Sequence, residues 1–190
     1  MISLPFRRAS PTDKIDALYG MIVAQARNPE FYRGYGVPDS VEGRLDMIML
    51  HMVLVLRQLT KVHGTVPPAG QQLFDRFCQD IDGNLREMGV GDLAVPKRMQ
   101  KVGEAFYGRS KVYESALADD DPAALEAAVA RNVFGAPEPT LGARRLAAYM
   151  KEAATNLARQ EADTLVAAAF EFPDPESIPE GSVTVESPKT

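Results

Sequence analysis

VEGRLDMIMLHMVLVLRQLTKV, residues 41–62, decides the fold. Leu45, Ile48, Met49, Met52, Val53, Leu56 and Leu59 recur at helical spacing, while Met47, Leu50, Leu54 and Val55 carry the apolar surface round most of the circumference. A helix that is apolar on most sides has to be enclosed on most sides. The expectation is a buried central helix with the other elements packed round it. The longest apolar run, 47–56, is interrupted by His51 and bounded by Asp46 and Arg57. It falls short of the roughly 20 apolar residues a bilayer span needs, so the protein is read as soluble, or at most peripheral to a membrane. His51 in this run reads as a core histidine with a hydrogen-bond partner rather than a ligand. Met47, Met49 and Met52 read as core, with a soft, adaptable groove as the alternative.

Working outward, Ser40 can cap this helix, and Gly36-Val37-Pro38-Asp39 precedes it as a loop. Upstream, Ile15, Leu18, Tyr19, Ile22, Val23 and Ala26 give a first helix one apolar face, with Thr12 as its expected cap and Asn28-Pro29 as its stop. Residues 30–35 then read as an aromatic turn carrying Phe31, Tyr32 and Tyr35. Downstream, Gly64 to Pro68 breaks the chain. A third helix over 69–88 turns Leu73, Phe74, Phe77, Cys78, Ile81, Leu85 and Met88 inward, and Gly89 suits a left-handed helix stop. A fourth runs over 95–117. Asp121-Pro122 opens a short fifth over 123–134, and Thr140 caps a long last helix to about 169.

No segment alternates with strand period. The fold class is all-α: a single compact domain of about six helices over 12–169, after a flexible N-terminus, 1–11. From Glu171 the composition shifts to Pro173, Pro175, Pro179 and Pro188 among Asp174, Glu176, Glu180 and Glu186. That composition predicts a disordered acidic tail over 170–190.

Composition narrows the function. The net charge of −5 over 190 residues argues against general DNA or RNA binding. Cys78 is the single cysteine, so no internal disulfide forms, and with two histidines no zinc motif can be written. Asp75, Asp80 and Asp82 invite comparison with all-α enzymes that hold magnesium diphosphate. Their spacings of five and two residues place no pair one helical turn apart, and no second acidic motif accompanies them. Pairing of Asp82 with Arg86, four residues on, is the plainer reading. An enzyme or binding protein for a prenyl or lipid ligand is kept as the alternative function. Lys97, Arg98, Lys101, Arg109 and Lys111 make the fourth helix basic, either as a solvated face or as one that meets an anionic surface or acidic partner.

Three segments carry a resemblance: IVAQARNPEFYRGYGVPDSVEGRLDMIMLH at 22–51, LFDRFCQDIDGNLREMGVGDLAVPKRM at 73–99, and FYGRSKVYESAL at 106–117. Together they resemble the ubiquinol–cytochrome c chaperone family, over about residues 19–132. The resemblance implies a non-enzymatic assembly factor, without catalytic residues, metal or cofactor, that binds newly made cytochrome b or other cytochrome bc complex subunits. It implies a bacterial relative acting in the cytoplasm on the cytoplasmic face of the inner membrane, with peripheral contact to that membrane or to the ribosome. Carried over residue by residue, the family's strongest positions fall on Phe31, Tyr32, Gly36, Arg44, Asp46 and His51. They continue on Asp75, Asp80, Asp82, Arg86, Glu87 and Gly89, then on Lys97, Tyr107, Gly108 and Arg109. With Arg98 and Lys101 added from the basic helix, and the glycines and His51 left aside, these make the expected partner-binding set. The expected surface is a groove or exposed patch bearing Met and aromatic side chains, rimmed by Lys97, Arg98, Lys101 and Arg109.

Overall fold

Ser10 and Asp13 open the folded region by capping each other. The Ser10 hydroxyl accepts the Asp13 N–H at 3.1 Å, and the Asp13 carboxylate accepts the Ser10 N–H at 2.9 Å, a reciprocal box that starts a helix. The cap is thus Ser10 rather than Thr12. The structure is a computed structural model and describes residues 10–179; the remainder of the expected tail and N-terminus lies outside the described residues. Helix α1 spans Pro11–Ala26, α2 Pro29–Arg33, α3 Val41–His63, α4 Pro68–Glu87, α5 Val95–Ala118, α6 Pro122–Val133, α7 Leu141–Ala158 and α8 Ala162–Val166, and a 3-10 turn covers Pro175–Ser177. No strand occurs among the described residues.

The caps are largely those the sequence predicts. Ser40, Asp121 and Thr140 each accept a backbone N–H in the first turn of α3, α6 and α7. Gly64 ends α3 in the left-handed region at φ 73°, which glycine adopts without penalty. Two elements exceed the expected number. The aromatic turn closes into the short α2, because Asn28 caps it and Pro29 occupies its first turn. The long last helix divides into α7 and α8 at Arg159–Glu161.

Helix α3 is the axis of the molecule. Every residue from Met47 to Val55 is buried, and α1, α4, α5, α6, α7 and α8 all touch it. Helix α7 also comes close to the chain leaving α2: a Cβ on Gly142 would lie 2.0 Å from the Tyr35 carbonyl oxygen, so only glycine fits. The methionines of α3 are core and line no groove.

The packed region does not stop at residue 169. Phe170, Pro175 and Ile178 are buried, and the 170–179 strap lies against the rest of the domain. Its carbonyl oxygens are claimed from below. Gln25 donates to Pro173 at 3.2 Å, Tyr35 to Pro175 at 2.7 Å and Arg145 to Ile178 at 3.1 Å. Arg145 also pairs with Glu30 at 3.0 Å and stacks on the Tyr35 ring at 4.2 Å. The first part of the acidic, proline-rich segment is therefore ordered structure: its aromatic and aliphatic residues supply burial that its average composition hides.

Phe77 is fully buried, between Phe74 and Phe106. Phe77→Ala is expected to lower the free energy of unfolding by about 3–5 kcal/mol, read from urea denaturation with an unchanged m-value.

Candidate functional site

Helices α4 and α5 form an antiparallel hairpin, and the residues of interest lie at its two ends. At the first end the chain leaves α4 through Met88 and Gly89, the latter at φ 79°. The Val90 N–H returns to the Leu85 carbonyl at 3.0 Å, and the Gly89 N–H to Arg86 at 2.9 Å, which satisfies the last carbonyls of the helix. Arg86 then clamps the joint. Its guanidinium donates to Asp82 one turn back, at 2.6 Å, and to Asp92 across the turn. Val95, the first residue of α5, is buried. Above this pinned turn Leu93 is 99% exposed and Met88 56%. Lys97, Arg98 and Lys101 follow, exposed and without a carboxylate partner among the described residues, and Glu87 is exposed on the other strand of the turn.

Towards the other end, the C-terminal part of α3, the start of α4 and the second half of α5 leave a groove of about 620 Å³. Leu56, Val66, Phe74, Phe106 and Tyr107 form its apolar wall and Lys111 stands on its rim. Phe74 is central to a ring cluster, 5.0 Å from Phe106 and 5.7 Å from Tyr107 between centroids. The groove is aromatic and its lining contains no methionine. Its rim is Lys111 and Glu114 rather than Lys97, Arg98, Lys101 and Arg109.

Arg109 faces the opposite way. Its Nη2 donates to Asp46 on α3 at 2.6 Å, fixing α5 against the central helix. Burial pushes the Asp46 carboxyl up to about 6, although the guanidinium beside it pulls the other way.

The remaining predicted residues scatter. Phe31 is fully buried, edge-on to Tyr35 at 5.3 Å and Tyr149 at 4.9 Å. Tyr32 is half-buried and donates to the Ala26 carbonyl at 2.7 Å. Phe31 and Tyr35 of the aromatic turn are thus core packing, whereas Tyr32 lines an open cleft with Arg27, Arg33 and Arg44. Arg44 pairs locally with Asp39 at 2.7 Å, fully in solvent. Asp75 accepts from Gln71, Asp80 from the Tyr19 hydroxyl, and Asp82 from Arg86. The three carboxylates thus serve three separate partners. Among the described residues, no group of three His, Cys, Asp or Glu is placed to hold a metal ion. The carboxylates pair with neighbouring side chains, as the plainer reading of Asp82 with Arg86 has it. Met88, expected inward, projects outward because α4 has already ended beneath it.

Comparison with known families gives a match to the model described as Ubiquinol-cytochrome C chaperone over residues 33–172. The chain belongs to this family. A solved structure described as the Cbp3 homolog from Brucella abortus is similar, at 34% identity and a TM-score of 0.77, over 87% of this chain and 92% of that one. Comparison with curated proteins gives no match. The family match starts later than the resemblance read from the sequence and reaches further, taking in α7 and α8. It covers both ends of the α4–α5 hairpin. Leu93, Met88 and Val66, which give those ends their apolar character, were not selected from sequence as site residues; Lys111 was noted there only as part of the basic face of the fourth helix. An isolated leucine in a Gly-Asp turn was the one available signal.

Within the family's span lies a buried polar chain. Gln25 Nε2 donates to the Tyr149 hydroxyl at 2.9 Å, and that hydroxyl lies 2.9 Å from His51 Nε2. His51 Nδ1 lies 2.8 Å from the Met47 carbonyl oxygen. A carbonyl only accepts, so Nδ1 carries the proton and Nε2 accepts from Tyr149. Full burial holds the ring neutral and lowers its pKa to about 4, against the Met47 bond that pulls upward. A depressed value means the unfolded chain takes up the proton first. His51 therefore contributes stability that is complete above about pH 6.5 and is lost as pH falls through about 4. Chemical-shift titration of the His51 ring should give a midpoint near 4, and His51→Gln should flatten this acid-side loss in urea unfolding curves recorded from pH 7 to pH 4.

Proposed function

We propose that this chain is an assembly chaperone of the ubiquinol–cytochrome c reductase that binds newly made cytochrome b, with the α4–α5 joint as the contact surface. The family match over residues 33–172 carries the reading. The surface is argued from Leu93, exposed on a turn held by Arg86, Asp82, Asp92 and Gly89. An apolar client segment would bury Leu93 and Met88, while Lys97, Arg98 and Lys101 meet acidic groups or lipid phosphates at its edge. Asp46 and Arg109 serve by fixing the angle of α5, Asp80 ties α4 to Tyr19 of α1, and Asp75 and Glu87 belong to the outer surface of α4. The role is non-catalytic. No described helix is long and apolar enough to cross a membrane, and the proposed place of action is the cytoplasmic face of the inner membrane, beside the inserting client.

Deleting the gene should lower cytochrome b and the assembled reductase while other respiratory complexes stay near normal. Restoring the chain as Leu93→Asp should leave its melting temperature within about a degree, as a fully exposed substitution changes stability little. The same variant should fail to recover reductase on native gels. Full recovery by Leu93→Asp would remove the joint from the account; normal reductase in the deletion strain would remove the chaperone role itself.

A further inference from the structure

We propose that the cleft between the end of α1, α2 and the start of α3 binds a phosphomonoester group, carried either by a soluble metabolite or by a lipid headgroup. The inference goes beyond the chaperone reading, and the cleft shares no residue with the α4–α5 hairpin. Its first support is charge. Arg27 from the end of α1, Arg33 from α2 and Arg44 from α3 line the cleft with a single acid, Asp39. The lining thus carries two positive charges in excess, on a chain whose net charge is −5. Asp39 is already engaged, accepting from Arg44 Nε at 2.7 Å. Glu30, the acid of α2, turns to Arg145 at 3.0 Å.

Its second support is unspent hydrogen-bonding capacity. Arg27 and Arg33 are exposed, and their side chains form no ion pair or hydrogen bond among the described residues. Arg44 spends Nε on Asp39 and makes no hydrogen bond through its terminal nitrogens among the described residues. A guanidinium offers a planar fork of donors that matches phosphate oxygens. A phosphomonoester carries about −1.5 to −2 charges at pH 7 and three acceptor oxygens. That fits both the excess charge and the three arginines. A lone carboxylate, with one charge, would leave the cleft only partly neutralised.

Its third support is shape. The cleft has a volume of about 360 Å³, at the small end of the roughly 300–1,000 Å³ typical of small-ligand sites, which suits a headgroup. Its backbone is held before contact. Tyr32, half-buried on the lining, donates to the Ala26 carbonyl at 2.7 Å and ties α2 to the end of α1. Asn28 caps α2 between them, accepting the Glu30 N–H at 2.9 Å. The loop bearing Asp39 lies tight against α3, where a Cβ on Gly43 would come 2.1 Å from the Pro38 carbonyl oxygen. Arginines mounted on fixed backbone lose less freedom on gripping an anion than the same residues on a loose loop.

The test uses the full chain and follows the Nε–Hε resonances of Arg27, Arg33 and Arg44 by NMR during titration with glycerol 3-phosphate, with glycerol and acetate as controls. Saturable shifts with glycerol 3-phosphate alone are expected. Arg27→Gln/Arg33→Gln should weaken binding at least about tenfold, since hydrogen bonds to charged groups are the strong ones, with circular dichroism unchanged. Lys97→Glu/Arg98→Glu/Lys101→Glu should bind as the parent does. Binding should weaken from about pH 7.5 to about pH 5, as a phosphomonoester takes up its second proton near about 6. The lining holds no histidine, and the Arg44 hydrogen bond keeps the Asp39 carboxyl below its ordinary value, so that profile belongs to the ligand. Flotation with phosphatidylcholine vesicles containing phosphatidic acid, lost in the double variant, assigns the lipid source; glycerol 3-phosphate binding without flotation assigns the soluble one. No binding of glycerol 3-phosphate, binding unmoved by Arg27→Gln/Arg33→Gln, or a flat pH profile would each overturn the proposal. So would an oligo-aspartate peptide bound as tightly as glycerol 3-phosphate through the same arginines, since that outcome makes the cleft a protein-docking surface.

Discussion

Enclosure of the 47–55 run of α3 is the constraint from which the rest of the structure follows. Seven of the eight helices cannot each be amphipathic toward one another and leave an all-round apolar helix in water; they must surround it, and six of them touch it directly. Enclosure also dictates the polar chemistry inside. A histidine in that run has no water to turn to, so its two nitrogens must be met by the Met47 carbonyl and the Tyr149 hydroxyl, because an unpaired buried polar group costs more than a made hydrogen bond returns. Tyr149 in turn requires Gln25, and Gln25 reaches the strap at Pro173. A single buried ring thus ties α1, α3, α7 and the C-terminal strap into one polar line.

The same logic explains how the α4–α5 hairpin can leave apolar groups outside. Phe77, Phe106 and Tyr113 fasten its inner face to the core, and the Asp46–Arg109 pair fixes the angle of α5 across α3. Both partners of that pair are largely buried, and in such surroundings removing one charge is costly because the other is left uncompensated. A hairpin held this firmly along its middle does not need its ends for stability. Leu93 at the joint and Tyr107 at the groove are therefore free to face solvent.

Much of this was legible in the sequence because caps and stops are local. Ser40, Asp121-Pro122 and Thr140 act on their own first turns, and Gly64 and Gly89 take up the backbone angles that other residues resist. The all-round apolar pattern of α3 needed no partner to be interpreted. What was not legible depends on distant contacts. The break between α7 and α8 has neither glycine nor proline at 159–161; it is set by the need to bring Leu165 and Phe170 back onto the core. The strap looked disordered because averages weigh its acids and prolines, whereas its docking rests on Phe170, Phe172 and Ile178 and on backbone carbonyls that carry no sequence signal. Phe31 looked like surface because it sits in a short turn, and only the arrival of α7 buries it.

The charges around the glycine joint illustrate the difference between a motif that marks a partner and one that shapes the surface shown to it. Arg86 spends its guanidinium on Asp82 and Asp92, in solvent, where such pairs contribute only about 0–1 kcal/mol of stability. The pairs are thus weak as stabilisers but effective as geometry, since two carboxylates from opposite sides of a turn converge on one planar group. Single exposed apolar residues are common and by themselves mean little. Leu93 differs in standing on a turn whose direction is fixed by that clamp, by the left-handed Gly89 and by the buried Val95 that opens α5. A side chain held in a defined position before contact loses less freedom on binding than one on a loose loop. The paired acids and Arg86 are therefore best understood as the frame, with Leu93 and the exposed Lys97, Arg98 and Lys101 as the surface the frame presents.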